Sequence, residues 1–180
     1  MRIIAGQWRG RPLVAPAGDA TRPTADRTRE TLFSMLLSRI GSFEGLIVGD
    51  FFAGSGALGL EALSRGAAFC LFVERERDAV AAIKANAAKL GLPRPDIRQT
   101  DVLALGSAPA PLDLIFMDPP YRTGAGAVAL DKLSRLGWTS PATWISIETE
   151  RGESVQVKGF AVAAERTVGK AALMLLRPES

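Results

Sequence analysis

The sequence predicts an α/β protein in which a mostly parallel β-sheet carries helices on both faces. Three observations lead to this fold class. Apolar strand-like runs alternate with helix-like runs over residues 46–149, and a glycine-rich turn joins the first of these strands to a helix. The tail at 154–176 has the alternation of a closing antiparallel hairpin. A length of 180 residues suits one domain.

The N-terminal segment differs in composition from the rest of the chain. Residues 1–23 are rich in Gly, Pro and Arg, which predicts an irregular arm or small hairpin. The run TADRTRETLFSMLLSRI at 24–40 predicts a helix, because Thr24 follows a proline at a suitable N-cap position and apolar residues recur on one face. We therefore divide the chain into a basic arm, 1–23, and a single domain, 24–180.

The elements of the sheet follow from residue 46 onward. The predicted strands are 46–52, 68–74, 96–101, 113–118 and 143–149. Helices are predicted directly after the glycine turn, at 77–91 and at 126–137. We expect the turn of the C-terminal hairpin around Val168 and Gly169.

Composition excludes several kinds of chemistry. The chain has no histidine, which removes Ser–His–Asp and Cys–His catalysis, and its single cysteine, Cys70, cannot form an internal disulfide. For the same reasons we expect no metal site. No apolar run reaches the roughly 20 residues that cross a bilayer, and the N-terminus lacks the apolar stretch of a secretory signal. We therefore expect a cytoplasmic protein with no membrane partner.

Positive charge is concentrated at the N-terminus. The net charge is +3, and residues 1–30 contain six arginines against three acidic residues, so this segment accounts for the whole excess. Arginine suits bidentate contacts to phosphate, which indicates a nucleic-acid partner. A solvated arm is the alternative explanation.

The segment DFFAGSGALG has the dinucleotide-type spacing Gly54-x-Gly56-x-x-Gly59 between a predicted strand and a predicted helix. Glycine permits a tight bend and lets a ligand approach the N-terminus of the helix. Glu74 ends the next predicted strand, 20 residues after Gly54, which is where an acid binds ribose hydroxyls. The pattern therefore predicts a cofactor that contains a nucleoside.

Two further acids indicate which cofactor this is. Asp50 stands just before the turn, where its charge would oppose a pyrophosphate but suit the ammonium group of S-adenosylmethionine. Asp101 ends the third predicted strand, where it could reach an adenine amino group. Ligands of open α/β sheets bind at the carboxyl ends of the strands, where these acids would lie. The alternative is that they are solvated residues at strand ends.

The tetrapeptide Asp118-Pro119-Pro120-Tyr121 follows the fourth predicted strand. Two prolines fix two φ angles, so the turn presents a carboxylate and a ring rigidly, and the proline carbonyls remain acceptors. A planar ring beside hydrogen-bond acceptors suits a flat substrate with an exocyclic amino group, such as a nucleobase.

This tetrapeptide resembles the (Asn/Asp)-Pro-Pro-(Tyr/Phe) motif of S-adenosylmethionine-dependent amino-methyltransferases. Together with it, RIIAGQWRGRPL, TRPTADRTRETLF, DFFAGSGALGLEALSRGA and DLIFMDPPYR are similar, in this order, to the bacterial small-subunit ribosomal RNA methyltransferase D family. The resemblance implies a Rossmann-like methyltransferase fold with a seven-stranded sheet and S-adenosylmethionine as methyl donor. It implies methylation of a guanine N2 amino group in 16S rRNA, within an assembling or assembled small ribosomal subunit. We expect a monomer.

The resemblance also implies roles for individual residues. Asp118 and the Pro119 carbonyl would accept hydrogen bonds from the guanine amino group, Pro120 would stiffen the turn, and Tyr121 would flank the base. The positions implied for the cofactor are Asp50, Ala53, Gly54, Ser55, Gly56, Glu74 and Asp101, with Thr24, Arg27 and Glu30 bordering the pocket. The positions implied for RNA contact are Arg2, Trp8, Arg9, Arg11, Arg22 and Arg122.

Three alternatives stay open at this point. An amino-methyltransferase could act on adenine N6 or on a protein glutamine, although glutamine enzymes and many adenine enzymes have Asn where this chain has Asp118. A nicotinamide oxidoreductase would use the glycine fingerprint but leaves the Asp-Pro-Pro-Tyr turn unexplained. A non-catalytic RNA-binding protein would have no use for four acids at strand ends.

Overall fold

The computed structural model describes residues 1–15 and 22–179, with side chains from residue 25 onward in the second range. Its helices are α1 Arg22–Ile40, α2 Ala57–Ser64, α3 Arg77–Lys89 and α4 Ala125–Arg135, with a 3-10 turn at Val102–Ala104. Its strands are β1 Ile47–Phe51, β2 Phe69–Val73, β3 Asp96–Arg98, β4 Leu114–Met117, β5 Trp144–Glu150, β6 Phe160–Val168 and β7 Ala171–Pro178. No helix in these ranges is long and apolar enough to span a membrane.

The strands form one seven-stranded sheet in the order β3-β2-β1-β4-β5-β7-β6. The first five of these pair in parallel, and β7 runs antiparallel between β5 and β6. The predicted fold class is therefore confirmed, including the C-terminal hairpin, whose turn falls between Val168 and Ala171.

Several element boundaries differ from the predictions, and two of these differences have a clear physical reason. The helix α1 begins at Arg22, before the predicted N-cap Thr24, because a proline is tolerated in a first helical turn that needs no backbone donor. The side chains of both residues lie outside the described part of the structure. The strand β3 ends at Arg98 rather than at 101, because Asp101 instead caps the 3-10 turn that follows.

The core consists of two layers, one on each face of the sheet. Alternation along β4 places Leu114 and Phe116 in one layer and Ile115 and Met117 in the other. The helices α1, α2 and α3 cover the first layer, whereas α4 and Trp138 cover the second. Because β1, β2 and β4 are parallel, the turns that follow them meet at a single edge of the sheet, which we call the carboxyl edge.

The first fifteen residues fold back on themselves and pack against α2. The amide of Ile3 donates to the Arg11 carbonyl at 2.9 Å, and the Ile3 side chain is buried. Gly6 has a φ of +91°, and a Cβ there would lie 1.9 Å from the Ser64 carbonyl oxygen, so only glycine fits this close approach. The segment is thus a hairpin fixed on the body of the protein.

The carboxylate of Glu61 anchors this hairpin. It accepts hydrogen bonds from the amides of Ile4 at 2.8 Å and Ala5 at 3.0 Å. It also pairs with Arg65 at 2.9 Å and with Arg29 of α1 at 3.6 Å. Glu61 is fully buried and Arg29 is 4% exposed, so both buried charges need compensation, which Arg65 and Asp26 also supply.

We expect Glu61→Ala to lower the free energy of unfolding by about 3–5 kcal/mol, because it removes the buried carboxylate that pairs with Arg29 and Arg65 and leaves two amides without their acceptor. Urea denaturation measures this difference. The matched control is Glu165→Ala on β6, an exposed residue whose loss should change stability by less than about 0.5 kcal/mol. Equal effects of the two substitutions would contradict the anchoring role.

Candidate active site

A cavity of about 630 Å³ opens at the carboxyl edge of the sheet. This size is typical of small-molecule sites. Its walls come from the N-terminus and α1, from the glycine turn, from the Asp-Pro-Pro-Tyr turn, and from the C-terminal half of the sheet. The lining residues are Met1, Ala25, Thr28, Arg29, Leu32, Phe52, Ala53, Gly54, Ser55, Ala57, Leu58, Asp118, Tyr121, Glu148, Gly169, Lys170 and Ala171.

The glycine turn has a backbone that few other residues could adopt. Phe52, Gly54 and Gly56 have φ values of 61°, 58° and 79°, all in the left-handed region. A Cβ on Gly56 would also lie 3.3 Å from the Ile83 side chain. The turn therefore runs close to α3 and leaves space on its other side, where Ala53, Gly54 and Ser55 line the cavity.

Glu74 holds this turn in place from the end of β2. One carboxylate oxygen accepts the Gly54 amide at 2.8 Å and the other accepts the Glu76 amide at 2.8 Å. A carboxylate offers about four acceptor positions, so these two bonds leave capacity for hydroxyl groups. Its predicted contact with a ribose stays a prediction.

Asp50 lies beneath the turn and is 1% exposed. Its carboxylate accepts the amide of Gly59 in α2 at 2.9 Å, and it is not among the residues that line the cavity. Burial raises the pKa of Asp50 to about 8, with a further increase from the charge of Glu74 and a decrease from the Gly59 hydrogen bond. Its predicted contact with an ammonium group stays a prediction.

Asp101 lies farther along the carboxyl edge, outside the lining of the cavity. It is 43% exposed, accepts the Leu103 amide at 2.9 Å, and pairs with Arg75 at 3.5 Å. These contacts hold the carboxylate at the start of the 3-10 turn that follows β3, and its predicted adenine contact stays a prediction.

The Asp-Pro-Pro-Tyr turn is held by packing and by hydrogen bonds. Asp118 is exposed and lines the cavity, whereas Pro119 is buried against the start of α4. A Cβ on Gly126 would lie 3.1 Å from the Pro119 ring, so the helix approaches the turn as closely as glycine permits. The Pro120 carbonyl accepts the Thr123 hydroxyl at 2.8 Å. These contacts hold the turn in place, and the rigidity that the two prolines predict stays a prediction.

Tyr121 is oriented by a carboxylate that the sequence analysis did not identify. Its hydroxyl donates to Glu148 of β5 at 2.9 Å, and the ring is 42% exposed beside the cavity. Burial and the nearby charges of Glu148, Asp118 and Glu150 raise the pKa of Tyr121. The hydroxyl therefore stays protonated and keeps donating to Glu148 at ordinary pH.

The predicted RNA-binding residues are spread over a wide surface. Arg2 and Arg9 are exposed, but Arg9 lies at the tip of the hairpin, beside the end of α2 that is remote from the cavity. Arg11 donates to the Lys89 carbonyl, and Arg122 pairs with Glu150 at 2.5 Å. The side chain of Arg22 is outside the described residues.

Two other residues have predicted roles: Trp8 is predicted to contact RNA, and Arg27 is predicted to border the cofactor pocket. Trp8 is half-buried and packs against the core on α2, and its amide donates to the Ser64 hydroxyl at 3.0 Å. On α1, Arg27 is exposed, whereas its neighbours Thr28 and Arg29 line the cavity. The side chain of Thr24 is not described.

Three charged lining residues were missed by the sequence analysis: Arg29, Glu148 and Lys170. The sequence carries a usable signal for Glu148, because an acid is unusual in an apolar strand such as WISIETE. Its neighbour Ile147 is fully buried in the structure. Lys170 reaches the cavity only because the hairpin of β6 and β7 pairs back onto β5. Alternation in the sequence predicts the hairpin itself, but not that β7 pairs with β5.

Solved structures of other proteins share this fold. The Escherichia coli protein yhhF superposes with a TM-score of 0.81 at 35% identity, covering 100% of this chain and 98% of that one. Magnesium protoporphyrin IX methyltransferase from Synechocystis, solved with bound S-adenosylmethionine, shares the fold with a TM-score of 0.70 at 16% identity, covering 91% of this chain and 87% of that one. The fold defines the class of protein: this is the Rossmann-like fold of S-adenosylmethionine-dependent methyltransferases.

Sequence relatives narrow the class to a family. Residues 1–177 match the family described as Conserved hypothetical protein 95. The chain is 36% identical over 183 residues to ribosomal RNA small subunit methyltransferase D of Escherichia coli (strain K12), spanning 100% of this chain and 91% of that protein. The protein of the same name in Haemophilus influenzae is 34% identical over 175 residues, spanning 94% and 89%. The chain belongs to the ribosomal RNA small subunit methyltransferase D family.

The raised pKa of Asp50 predicts a pH dependence of stability. Between its ordinary value of 3.8 and the folded value of about 8, the folded protein binds a proton that the unfolded chain has lost. Unfolding then releases a proton, so stability falls as pH rises, by up to about 1.4 kcal/mol per pH unit. Asp50→Asn, which keeps an acceptor for Gly59, should remove this part of the slope. If the free energy of unfolding of the wild type and of Asp50→Asn changed equally from pH 5 to 8, the raised pKa of Asp50 would be contradicted.

Proposed function

We propose that this protein transfers a methyl group from S-adenosylmethionine to the N2 amino group of a guanine in 16S rRNA. One observation carries the proposal: the glycine turn and the Asp118–Tyr121 turn open onto the same cavity. A hydrogen-bond acceptor for an amino group is therefore placed beside the turn predicted for the methyl donor. The protein would bring the two reactants together in one site.

The residues at the carboxyl edge suit S-adenosylmethionine. The space beside Gly54 and Ser55, kept open by the positive φ of Gly54, would receive the methionine part. The acceptors Glu74 and Asp101, farther along the same edge, would take the ribose hydroxyls and the adenine amino group. When bound, S-adenosylmethionine supplies an electrophilic methyl group on a positively charged sulfur.

The chain's own contribution to the chemistry centres on Asp118. The lone pair of the guanine amino nitrogen is delocalised into the ring, which makes it a poor nucleophile. Hydrogen bonds from this amino group to Asp118 and to the Pro119 carbonyl would favour a pyramidal nitrogen with an available lone pair. The same carboxylate would stabilise the positive charge that develops on nitrogen, an interaction that is strongest in the transition state.

Two observations support rRNA as the substrate. Relatives that match the chain over nearly its whole length are named ribosomal RNA small subunit methyltransferases. The N-terminal hairpin adds a basic surface with the exposed residues Arg2 and Arg9, and arginine suits phosphate contacts. The target base must leave its stack to enter the cavity, where Tyr121 would flank it.

Asp118→Ala tests the proposed chemistry. We expect it to lower kcat for guanine methylation at least about 100-fold, because it removes the acceptor that is strongest in the transition state. Affinity for S-adenosylmethionine, measured by calorimetry, should change little. The control is Asp131→Ala, an exposed aspartate on α4 that does not line the cavity. A wild-type rate for Asp118→Ala would rule out its proposed role.

Salt dependence tests the role of the hairpin. If Arg2 and Arg9 each contact a phosphate, Arg2→Ala combined with Arg9→Ala should weaken RNA binding and reduce the slope of log K against log salt by about 1.5. Fluorescence anisotropy over a salt series measures the slope. Lys132→Ala combined with Arg135→Ala, on the α4 face of the sheet, is the control with the same change of two charges. An unchanged slope in the double variant would identify the hairpin as a structural element only.

A further inference from the structure

Glu148 is a second carboxylate in the proposed base-binding cavity. It lies within β5, where it is half-buried and pairs in register with Leu173 of β7. It lines the cavity together with Asp118, and one of its oxygens accepts the Tyr121 hydroxyl at 2.9 Å. The charges of both carboxylates act on this hydroxyl, so the three side chains form one cluster.

Two carboxylates in one cavity require donors on the ligand. The RNA backbone supplies only its 2′-hydroxyls as donors, because its phosphates are negatively charged. The Watson–Crick edge of guanine does supply them, as the N2 amino group and the neighbouring N1–H. Adenine offers an amino group beside an N1 acceptor, which would face a carboxylate unfavourably. The donor pattern of guanine therefore matches the acceptors of this cavity.

We propose that Glu148 selects guanine by accepting a hydrogen bond from its N1–H, while Asp118 accepts from the N2 amino group. This inference rests on the proposed function and adds a specificity residue to the same site. Tyr121 uses one oxygen of Glu148, and the carboxylate has further lone pairs for a second donor. The hydroxyl also fixes the orientation of the carboxylate before the base enters, and a sheet strand provides a rigid support.

The test compares two RNA substrates that differ only at the target base. One carries guanine, and the other carries 2,6-diaminopurine, which keeps the N2 amino group but has an N1 acceptor in place of N1–H. For the wild-type protein we expect kcat/KM to be at least about tenfold lower with 2,6-diaminopurine, because a buried acceptor then faces an acceptor. In Glu148→Gln the side-chain amide can donate to this N1, so the preference for guanine should fall by about tenfold or more.

The ratio of kcat/KM for the two substrates, measured on one protein sample, does not depend on how much of the protein is folded. The control is Glu150→Gln, the same chemical change two residues along the same strand, at a residue that pairs with Arg122 outside the cavity lining. Its guanine preference should equal that of the wild type.

Two results would overturn the role of Glu148. The first is a wild-type protein that methylates both substrates equally well. The second is a Glu148→Gln variant that loses activity by the same factor on both, which would make Glu148 a support for Tyr121 only. A wild-type protein that methylates 2,6-diaminopurine RNA or adenine RNA but not guanine RNA would instead refute the proposed function itself.

Discussion

Parallel pairing of β1 with both β2 and β4 is the constraint on which the rest of the structure depends. It forces the chain to leave all three strands at one edge of the sheet. The glycine turn, the carboxylate of Glu74 and the Asp118 turn therefore meet there, although they are far apart in sequence. The helices α1 to α3 cover one face of the sheet and α4 covers the other, and the cavity lined by the glycine turn and Asp118 opens at this edge.

Acidic side chains placed together at one edge of the sheet repel each other, and the local surroundings of each side chain reduce this repulsion. The burial that raises the pKa of Asp50 keeps this group protonated over much of the neutral range, which removes one negative charge from beneath the turn. Backbone amides engage both oxygens of Glu74. Asp101 is exposed to solvent and paired with Arg75. Among the described residues, Asp118 and Glu148 are the two acidic side chains that line the cavity, where a substrate donor can meet them.

The parts of the structure that the sequence predicted are those with local signals. Hydrophobic periodicity indicated the helices and strands, and the positive φ values of Gly54 and Gly56 explain why glycine marks the turn. Asp118 was identifiable because two prolines and a tyrosine follow it. Glu148 and Tyr121 are 27 residues apart, and Glu61 and Ile4 are 57 apart, so their contacts arise only when the sheet and the hairpin are assembled. No periodicity within either segment encodes such a pairing.

The most direct measurement is nucleoside mass spectrometry of 16S rRNA from a strain that lacks this protein. The account predicts loss of one N2-methylguanosine, restored by the wild-type gene and not by Asp118→Ala. Loss of N6-methyladenosine in place of N2-methylguanosine, or restoration by Asp118→Ala, would contradict it.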